Sequence, residues 1–386
     1  MIDFFSMAEE KFDMMINLRR KLHMYPEVDR DLKGTVDAVE THLKELGIRY
    51  RRIGNKGIIG EIGNNDGKTI ALRADMDALK VMDLKNAPYS SKKEGVMHAC
   101  GHDAHTSILI GAVALLKSFE RDLKGTVRFI FQPAEETDGG AVDMIDEGCL
   151  KDVDGIIGLH VDENIDTGFV GAKRGTVCAA SNPFEIRVFG KGAHGASPDT
   201  GIDAILISAN IINNLQNIVS REVSSLDNAV ITIGTISGGT ALNAISSSVV
   251  MEGILRTVGD DLRGFCKDRI RSVVENTSSM MRGRAEIDFV EGYPSFNNDE
   301  TILKLFTNLV SQTKNIQLVE IDKPAMGVED FAYYARKVPG LYYRLGCRNK
   351  EKGIDNPAHG SYFDIDEKAM VIGCAMQAML AYEYLK

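Results

Sequence analysis

Three short apolar runs, 69–73, 126–131 and 155–159, read as buried strands, and each is followed by side chains that can hold a proton or a cation. Asp75 and Asp77 follow the first, Glu135 and Glu136 the second, and His160 the third. In an open α/β sheet, ligands collect in the crevice beyond the carboxyl ends of the strands. Three strands would thus deliver acids and an imidazole to one edge. Just before a predicted helix at 104–118, the segment Met97-His-Ala-Cys-Gly-His-Asp-Ala-His105 packs a thiol, three imidazoles and a carboxylate into nine residues. Thiolate, imidazole and carboxylate together suit zinc or a similar divalent ion, which accepts S, N and O donors. Taken singly, each feature has an ordinary reading: a helix-capping loop with Asp103 as cap, two solvated acids at Glu135 and Glu136, a satisfied buried histidine at His160. Their conjunction at strand ends points to a metal centre.

The elements that must position these residues follow from periodicity. Residues 7–48 carry apolar positions at helical spacing (Phe12, Met15, Ile16, Leu18, Leu22), interrupted by Pro26 and closed by Gly47. Strands then alternate with helices at 104–118 and 141–147, which predicts an α/β sheet covered on both faces. Near Asn182 the pattern changes. Strands at 184–189, 229–236, 249–258 and 285–290, with helices at 203–219 and 261–281, give β-α-β-β-α-β, the ferredoxin-like α+β unit. We read 184–292 as an inserted small domain, and 1–183 plus 293–386 as the larger α/β domain, resumed by a strand at 341–345 and a helix at 367–385.

Composition narrows the function. A chain of 386 residues is longer than one core usually serves. Its net charge of -10 lacks the clustered basic excess of a nucleic-acid surface. The longest uncharged apolar stretch, 369–382, contains Gln377 and is too short to span a bilayer, so it reads as a buried helix and no membrane role is expected. The N-terminus has acidic residues ahead of basic ones, the reverse of a secretory signal. The six cysteines form no CxxC pair, so reduced thiols and a cytoplasmic location are expected. A literal GxGxxG at Gly190-Lys-Gly-Ala-His-Gly195 is a weak lead, because Ser197-Pro-Asp-Thr-Gly separates it from the next predicted helix.

Ordered blocks then run through nearly the whole chain: Leu18-Arg-Arg-Lys-Leu-His23 with Pro26-Glu27, Arg73-Ala-Asp-Met-Asp-Ala-Leu79, His98-Ala-Cys-Gly-His-Asp103, Phe131-Gln-Pro-Ala-Glu-Glu136, Gly158-Leu-His160, Gly192-Ala-His194, Gly238-Gly-Thr-Ala-Leu-Asn243, Glu252-Gly-Ile-Leu-Arg256, Glu329-Asp-Phe331 and Ala358-His359. With these the chain resembles the dinuclear-metal amidohydrolases, a family that includes hippurate hydrolase, the plant auxin-conjugate hydrolases and N-acetyl-diaminopimelate deacetylase. It sits in a superfamily with the aminoacylases and zinc carboxypeptidases. The resemblance implies a metallopeptidase-like α/β catalytic domain whose inserted domain is a lid and dimerisation unit. It implies two divalent ions (zinc, manganese, cobalt or nickel) held by Cys100, His102, Glu136, His160 and His359, with the Cys100 thiolate shared by or placed between them. Glu135 would be the catalytic carboxylate and Asp77 a group that orients a ligand. His194, Asn243 and Arg256 would address the substrate, His194 in the manner of dimeric relatives whose lid histidine reaches a partner subunit's site. The implied activity is hydrolysis of a small N-acyl amino acid by a homodimer.

Two departures lie on the substrate side. Pro198-Asp199-Thr200-Gly201 stands where the family usually has Pro-His-Thr-Gly, and Asn243-Ala-Ile-Ser-Ser-Ser lacks the proline that the family usually has shortly after this asparagine. The competing enzyme readings are a dipeptidase, for which a histidine is expected where Asp75 stands, and an N-acetyl-diaminopimelate deacetylase. A non-catalytic metal- or ligand-binding protein is the competing reading of another class, and it would have no use for Glu135.

Overall fold

The computed structural model describes residues 2–64, 66–137, 139–314 and 316–386, and the chain divides into two compact units. The first comprises Met1–Gly175, Asn297–Lys323 and Asp330–Lys386; the second comprises Thr176–Phe296 and Pro324–Glu329. The second unit begins ahead of the expected boundary at 184, because it takes in the short strand Thr176–Cys178 and the start of Ala180–Phe189, and it also includes Pro324–Glu329.

The first unit is built on an eight-stranded sheet. Its strand order is Arg49–Ile53, Gly57–Gly63, Gly125–Gln132, Lys68–Asp75, Gly155–Asp166, Gly340–Arg348, Phe169–Gly171, Gln317–Leu318. The four central strands are parallel neighbours. They read as near-continuous apolar runs because parallel strands are buried on both faces. The helices Phe12–Met24, His102–Ser118 and Ala369–Tyr384 pack together, and Ala369–Tyr384 is buried along most of its length. The apolar stretch at 369–382 is therefore a core helix. Among the described residues no helix is long and apolar enough to cross a membrane. Each fully buried aliphatic or aromatic side chain contributes about 1.5–3 kcal/mol, and the shared core runs from Met15 and Leu18 through Ile108, Phe129 and Ile157 to Leu345 and Met376.

The Pro26-Glu27 block has a structural role. The Glu27 carboxylate accepts from Gly34 N at 3.0 Å and Thr35 N at 2.8 Å, capping the free N–H groups that open the helix Lys33–Glu45. Its carbonyl accepts from Ala78 N at 2.7 Å, which pins the chain just past Asp77.

The second unit is a four-stranded antiparallel sheet in the order Ala229–Gly238, Ser248–Thr257, Ala180–Phe189, Arg284–Phe289. Helices Ala204–Asn217 and Asp260–Met280 close its core through Ile207, Ile211, Ile270 and Val274 against Ile186, Val188 and Met251. This is the β-α-β-β-α-β order expected from periodicity. The glycine run Gly190–Gly195 contains the short strand Ala193–His194, and the next α-helix starts only at Ala204. The arrangement a dinucleotide needs is not formed there.

Candidate metal centre

Strands Lys68–Asp75 and Gly155–Asp166 run in register from the Ile70–Gly155 pair to the Arg73–Gly158 pair, where their pairing ends. His160 lies past that point but within its strand, not beyond it. The apolar run ends at Leu159, yet backbone pairing continues against Gly340–Arg348, with Arg344 opposite His160. Two groups of donor atoms, each mutually within 4.8 Å, share one thiol: Cys100 with His102 and His160, and Cys100 with Glu136 and His359. A third such group joins His102, Glu135 and Glu136. The five residues that the resemblance names as ligands thus lie at one locus of the first unit, with the Glu135 carboxylate beside them.

Local backbone explains how so many donors converge. Cys100 and His102 flank Gly101, which has φ +91°, and a Cβ there would sit 2.4 Å from Val161 Cγ2. Only glycine permits this turn and its approach to the strand. Ala134 and His359 hold φ values of +54° and +63°, unusual for side-chain-bearing residues and costing about 1–3 kcal/mol each. His359 is held there by its N–H, which donates to Ala99 O at 2.8 Å. Beyond Ala134, Asp77 accepts from Glu135 N at 3.0 Å and from Glu136 N at 3.1 Å. One Asp77 oxygen also lies 3.4 Å from His102 Nδ1. Asp77 therefore fixes the backbone of both glutamates and sets its negative charge beside the His102 imidazole.

Hydrogen-bond accounting separates structural imidazoles from available ones. His160 Nδ1 faces Val161 O at 2.6 Å and must donate to it, which leaves Nε2 unprotonated at 3.3 Å from Cys100 Sγ. His105 donates from Nδ1 to Asp75 at 2.6 Å and accepts from Val161 N at 2.9 Å, so both its nitrogens are committed. In His102 both ring nitrogens are buried without a hydrogen-bond partner, as is Glu136 Oε1. The approaches of His102 Nδ1 to Asp77 at 3.4 Å, and of His102 Nε2 at 3.7 Å and His359 Nε2 at 3.5 Å to Glu136 Oε1, are too long for good hydrogen bonds. Orphaned buried donors and acceptors cost about 1–3 kcal/mol apiece. An imidazole and a carboxylate left this way, with the Cys100 thiol within reach of both, fit divalent cations.

Charge points the same way. Burial opposes protonation of His102, yet Asp75, Asp77 and Glu136 hold its pKa up at about 10. Burial pushes the Cys100 thiol well above its ordinary value, and Glu136 and Glu135 add to the effect. Both groups are protonated at neutral pH in the metal-free protein, so a cation that takes both must displace two protons. Affinity then falls as pH falls, by about tenfold per proton per pH unit. Calorimetry of metal uptake near pH 7.5 in buffers of different ionisation enthalpy is expected to show release of about two protons. Uptake without proton release would contradict this ligand pair.

The residues expected to address substrate lie in the second unit. His194 and Asn243 come together: Ala244 pairs with His194 across a two-stranded ladder, and Gly195 N donates to Asn243 O at 2.8 Å. Both side chains are exposed. Arg256 sits apart from them in Ser248–Thr257, half-buried, with Nη1 donating to Met326 O at 3.0 Å.

Sequence reasoning left a buried support unassigned. Arg73 donates to Asp75 at 2.5 Å, to Gln132 at 2.8 Å and to Asp330 at 2.5 Å. Gln132 Nε2 donates to the other Asp330 oxygen at 2.6 Å, and Tyr334 OH donates to Gln132 Oε1 at 3.0 Å. Asp75 links this network through His105 to the strand bearing His160. The available signal was that Arg73, Gln132 and Asp330 all fall inside the sequence blocks that carry the resemblance.

Comparison with known proteins agrees with this geometry. The model of peptidase family M20/M25/M40 matches residues 71–383. The chain is 40% identical over 359 residues to the N-acetyl-L-cysteine deacetylase of Bacillus subtilis, covering 92% of this chain and 85% of that protein. It is 37% identical over 379 residues to an IAA-amino acid hydrolase of Arabidopsis thaliana, covering 97% and 86%. Among solved structures, a dinuclear metal-binding peptidase of the M20 family from Bacillus subtilis superposes with a TM-score of 0.87 at 34% identity, over 98% of this chain and 99% of that one. The chain belongs to the peptidase family M20/M25/M40 and is a metal-dependent hydrolase of amide bonds.

Proposed function

We propose that this chain hydrolyses the amide bond of N-acyl amino acids, with Cys100, His102, Glu136, His160 and His359 holding two divalent cations and Glu135 moving the proton. The observation that carries the reading is the pair of donor groups sharing Cys100, with the Glu135 carboxylate close to His102 and Glu136. The two relatives named above are described by substrates that share one chemistry, an acyl group amide-linked to an amino acid. Zinc, manganese, cobalt and nickel all accept this donor set.

A bound divalent cation lowers the pKa of water and polarises the scissile carbonyl. The protein supplies the proton path. Glu135, 7% exposed and fixed at its N–H by Asp77, takes a proton from the attacking water as that oxygen bonds to the carbonyl carbon. It returns the proton to the amide nitrogen as the C–N bond breaks, so the acyl group leaves as an acid and the amino acid as an amine. His194 or Asn243 stabilises the oxyanion, and Arg256 clamps the amino acid carboxylate by paired hydrogen bonds. Arg256→Ala is then expected to raise KM more for substrates with a free carboxylate than for their amides. Equal effects on both would make Arg256 structural.

The same reading makes the second unit a lid and the protein a homodimer, with His194 serving a partner subunit's site. Ala229–Gly238 is an edge strand, and Ile236, Leu206 and Val250 of this unit are exposed. Two-fold contacts through such edges are common. A fully active monomer at micromolar concentration by light scattering would remove the dimer. The location proposed is cytoplasmic, in keeping with six free, buried cysteines.

A dipeptidase of the peptidase branch would place a histidine at position 75. Asp75 stands there, committed to Arg73 and His105. A screen of N-acetyl and N-benzoyl amino acids, N-acetyl-diaminopimelate and dipeptides, with each metal returned after chelation, tests the proposal. Turnover of N-acyl amino acids that depends on metal is the expected result. Turnover confined to dipeptides, or surviving exhaustive chelation, would overturn it.

A further inference from the structure

The block Leu18–His23 takes no part in the reaction described above, yet it places two polar side chains in the core. In the helix Phe12–Met24 the buried stripe is Met15, Leu18, Arg19, Leu22 and His23, so Arg19 and His23 lie one turn apart on an otherwise apolar face. Arg19 is 1% exposed. Its Nε donates to Asp103 at 2.9 Å, Nη2 to Asp364 at 2.7 Å and Nη1 to Glu367 at 3.2 Å. His23 Nδ1 lies 2.7 Å from the same Asp103 oxygen, and His23 Nε2 lies 3.0 Å from Lys85 Nζ. The Asp103 carboxylate only accepts, so Nδ1–H donates to it, while Nε2 faces both Lys85 and, at 3.5 Å, Asp83. Lys85 also donates to Phe363 O at 2.7 Å, and Tyr89 OH donates to Asp364 at 2.7 Å.

These bonds end on two stretches of chain. Asp103 directly follows His102 at the start of the helix His102–Ser118. Phe363 and Asp364 lie just beyond His359, whose N–H already donates to Ala99 O. One planar guanidinium therefore ties the segment bearing Cys100 and His102 to the segment bearing His359. Its fork fixes direction as well as distance, which a lysine cannot reproduce.

We propose that Arg19 and His23 are positioning residues that set the spacing between the Cys100–His102 and His359 segments, and through it the affinity for the cations; this rests on the ligand reading above. Neither side chain touches a ligand's donor atom. They act through the backbone, by fixing Asp103 next to His102 and Asp364 a few residues past His359.

The test uses the full chain, stripped of metal and titrated with cobalt(II), and follows both the dissociation constant and the thiolate-to-cobalt charge-transfer absorption. Arg19→Lys and His23→Gln are expected to bind cobalt about tenfold more weakly, with an altered band, the lower end of the scale seen when a direct hydrogen-bond partner of a ligand is removed, because these two act one step further out. Tyr89→Phe deletes a single bond to Asp364 and reports even if neither of the others folds; a several-fold loss and a shifted band are expected from it. A folded variant that melts earlier without metal, yet keeps wild-type cobalt affinity and spectrum, would make the cluster merely structural and overturn the proposal. Cys100→Ser separates the two readings. If it binds cobalt as wild type does, the ligand assignment fails; if it loses the band while the other variants match wild type, only the positioning role fails.

Discussion

Replacing Glu135 by glutamine is expected to lower kcat by about a hundredfold to ten-thousandfold while cation content stays at the wild-type level. The amide is nearly isosteric and keeps the backbone bond to Asp77, so the loop bearing Glu136 stays in place. What it cannot do is accept a proton from water and hand it to a departing amine. Steady-state kinetics and elemental analysis on one preparation check both halves. If metal disappears together with activity, Glu135 is itself a ligand, and the roles of the two adjacent glutamates are the reverse of those proposed.

Cys100→Ser should be at least as severe. Cys100 is the residue common to both donor groups, so its loss weakens both cation positions together. A serine hydroxyl keeps the size but does not ionise near neutral pH, where metal ligation needs the thiolate. We expect turnover to fall on the order of a thousandfold or more, as when one member of a catalytic unit is removed. Both metal equivalents should be retained poorly through gel filtration. Retention of one equivalent with turnover within about tenfold would mean that the thiol serves a single cation or none.

The elements most legible in the sequence are those with an unbroken apolar run. Ile70–Leu72 in Lys68–Asp75, Phe129–Phe131 in Gly125–Gln132 and most of Ala369–Tyr384 are of this kind, so their character survives without any tertiary information. The edge strand Arg49–Ile53 is not legible this way: Arg49 and Arg51 are exposed, Arg52 is tied to Asp37 and Glu40, and pairing to Gly57–Gly63 supplies the structure. The helix Glu300–Gln312 carried a usable signal, an Asp299 cap followed by apolar Ile302, Leu303, Phe306 and Val310.

The site divides along the same line. Acids at strand ends and the Cys/His segment are local features. His359 is not, for its loop has no periodicity, and only the resemblance points to it. Asp103 shows how a local reading misleads: the helix starts at His102 behind Gly101, and the Asp103 carboxylate accepts from Arg19 and His23 instead of serving as the cap. Arg19 and His23 were visible as polar residues at the buried spacing of their helix. What they meet, Asp103 and Asp364, lies far along the chain and is set by tertiary packing.

The central claim is that two cations share one thiolate beside Glu135, and anomalous diffraction from metal-loaded crystals tests it most directly. The account predicts two anomalous peaks, both within bonding distance of Cys100 Sγ, one or the other reached by each of His102, Glu136, His160 and His359. A single peak, or a peak centred on Asp75 and His105 with Cys100 unbound, would contradict it.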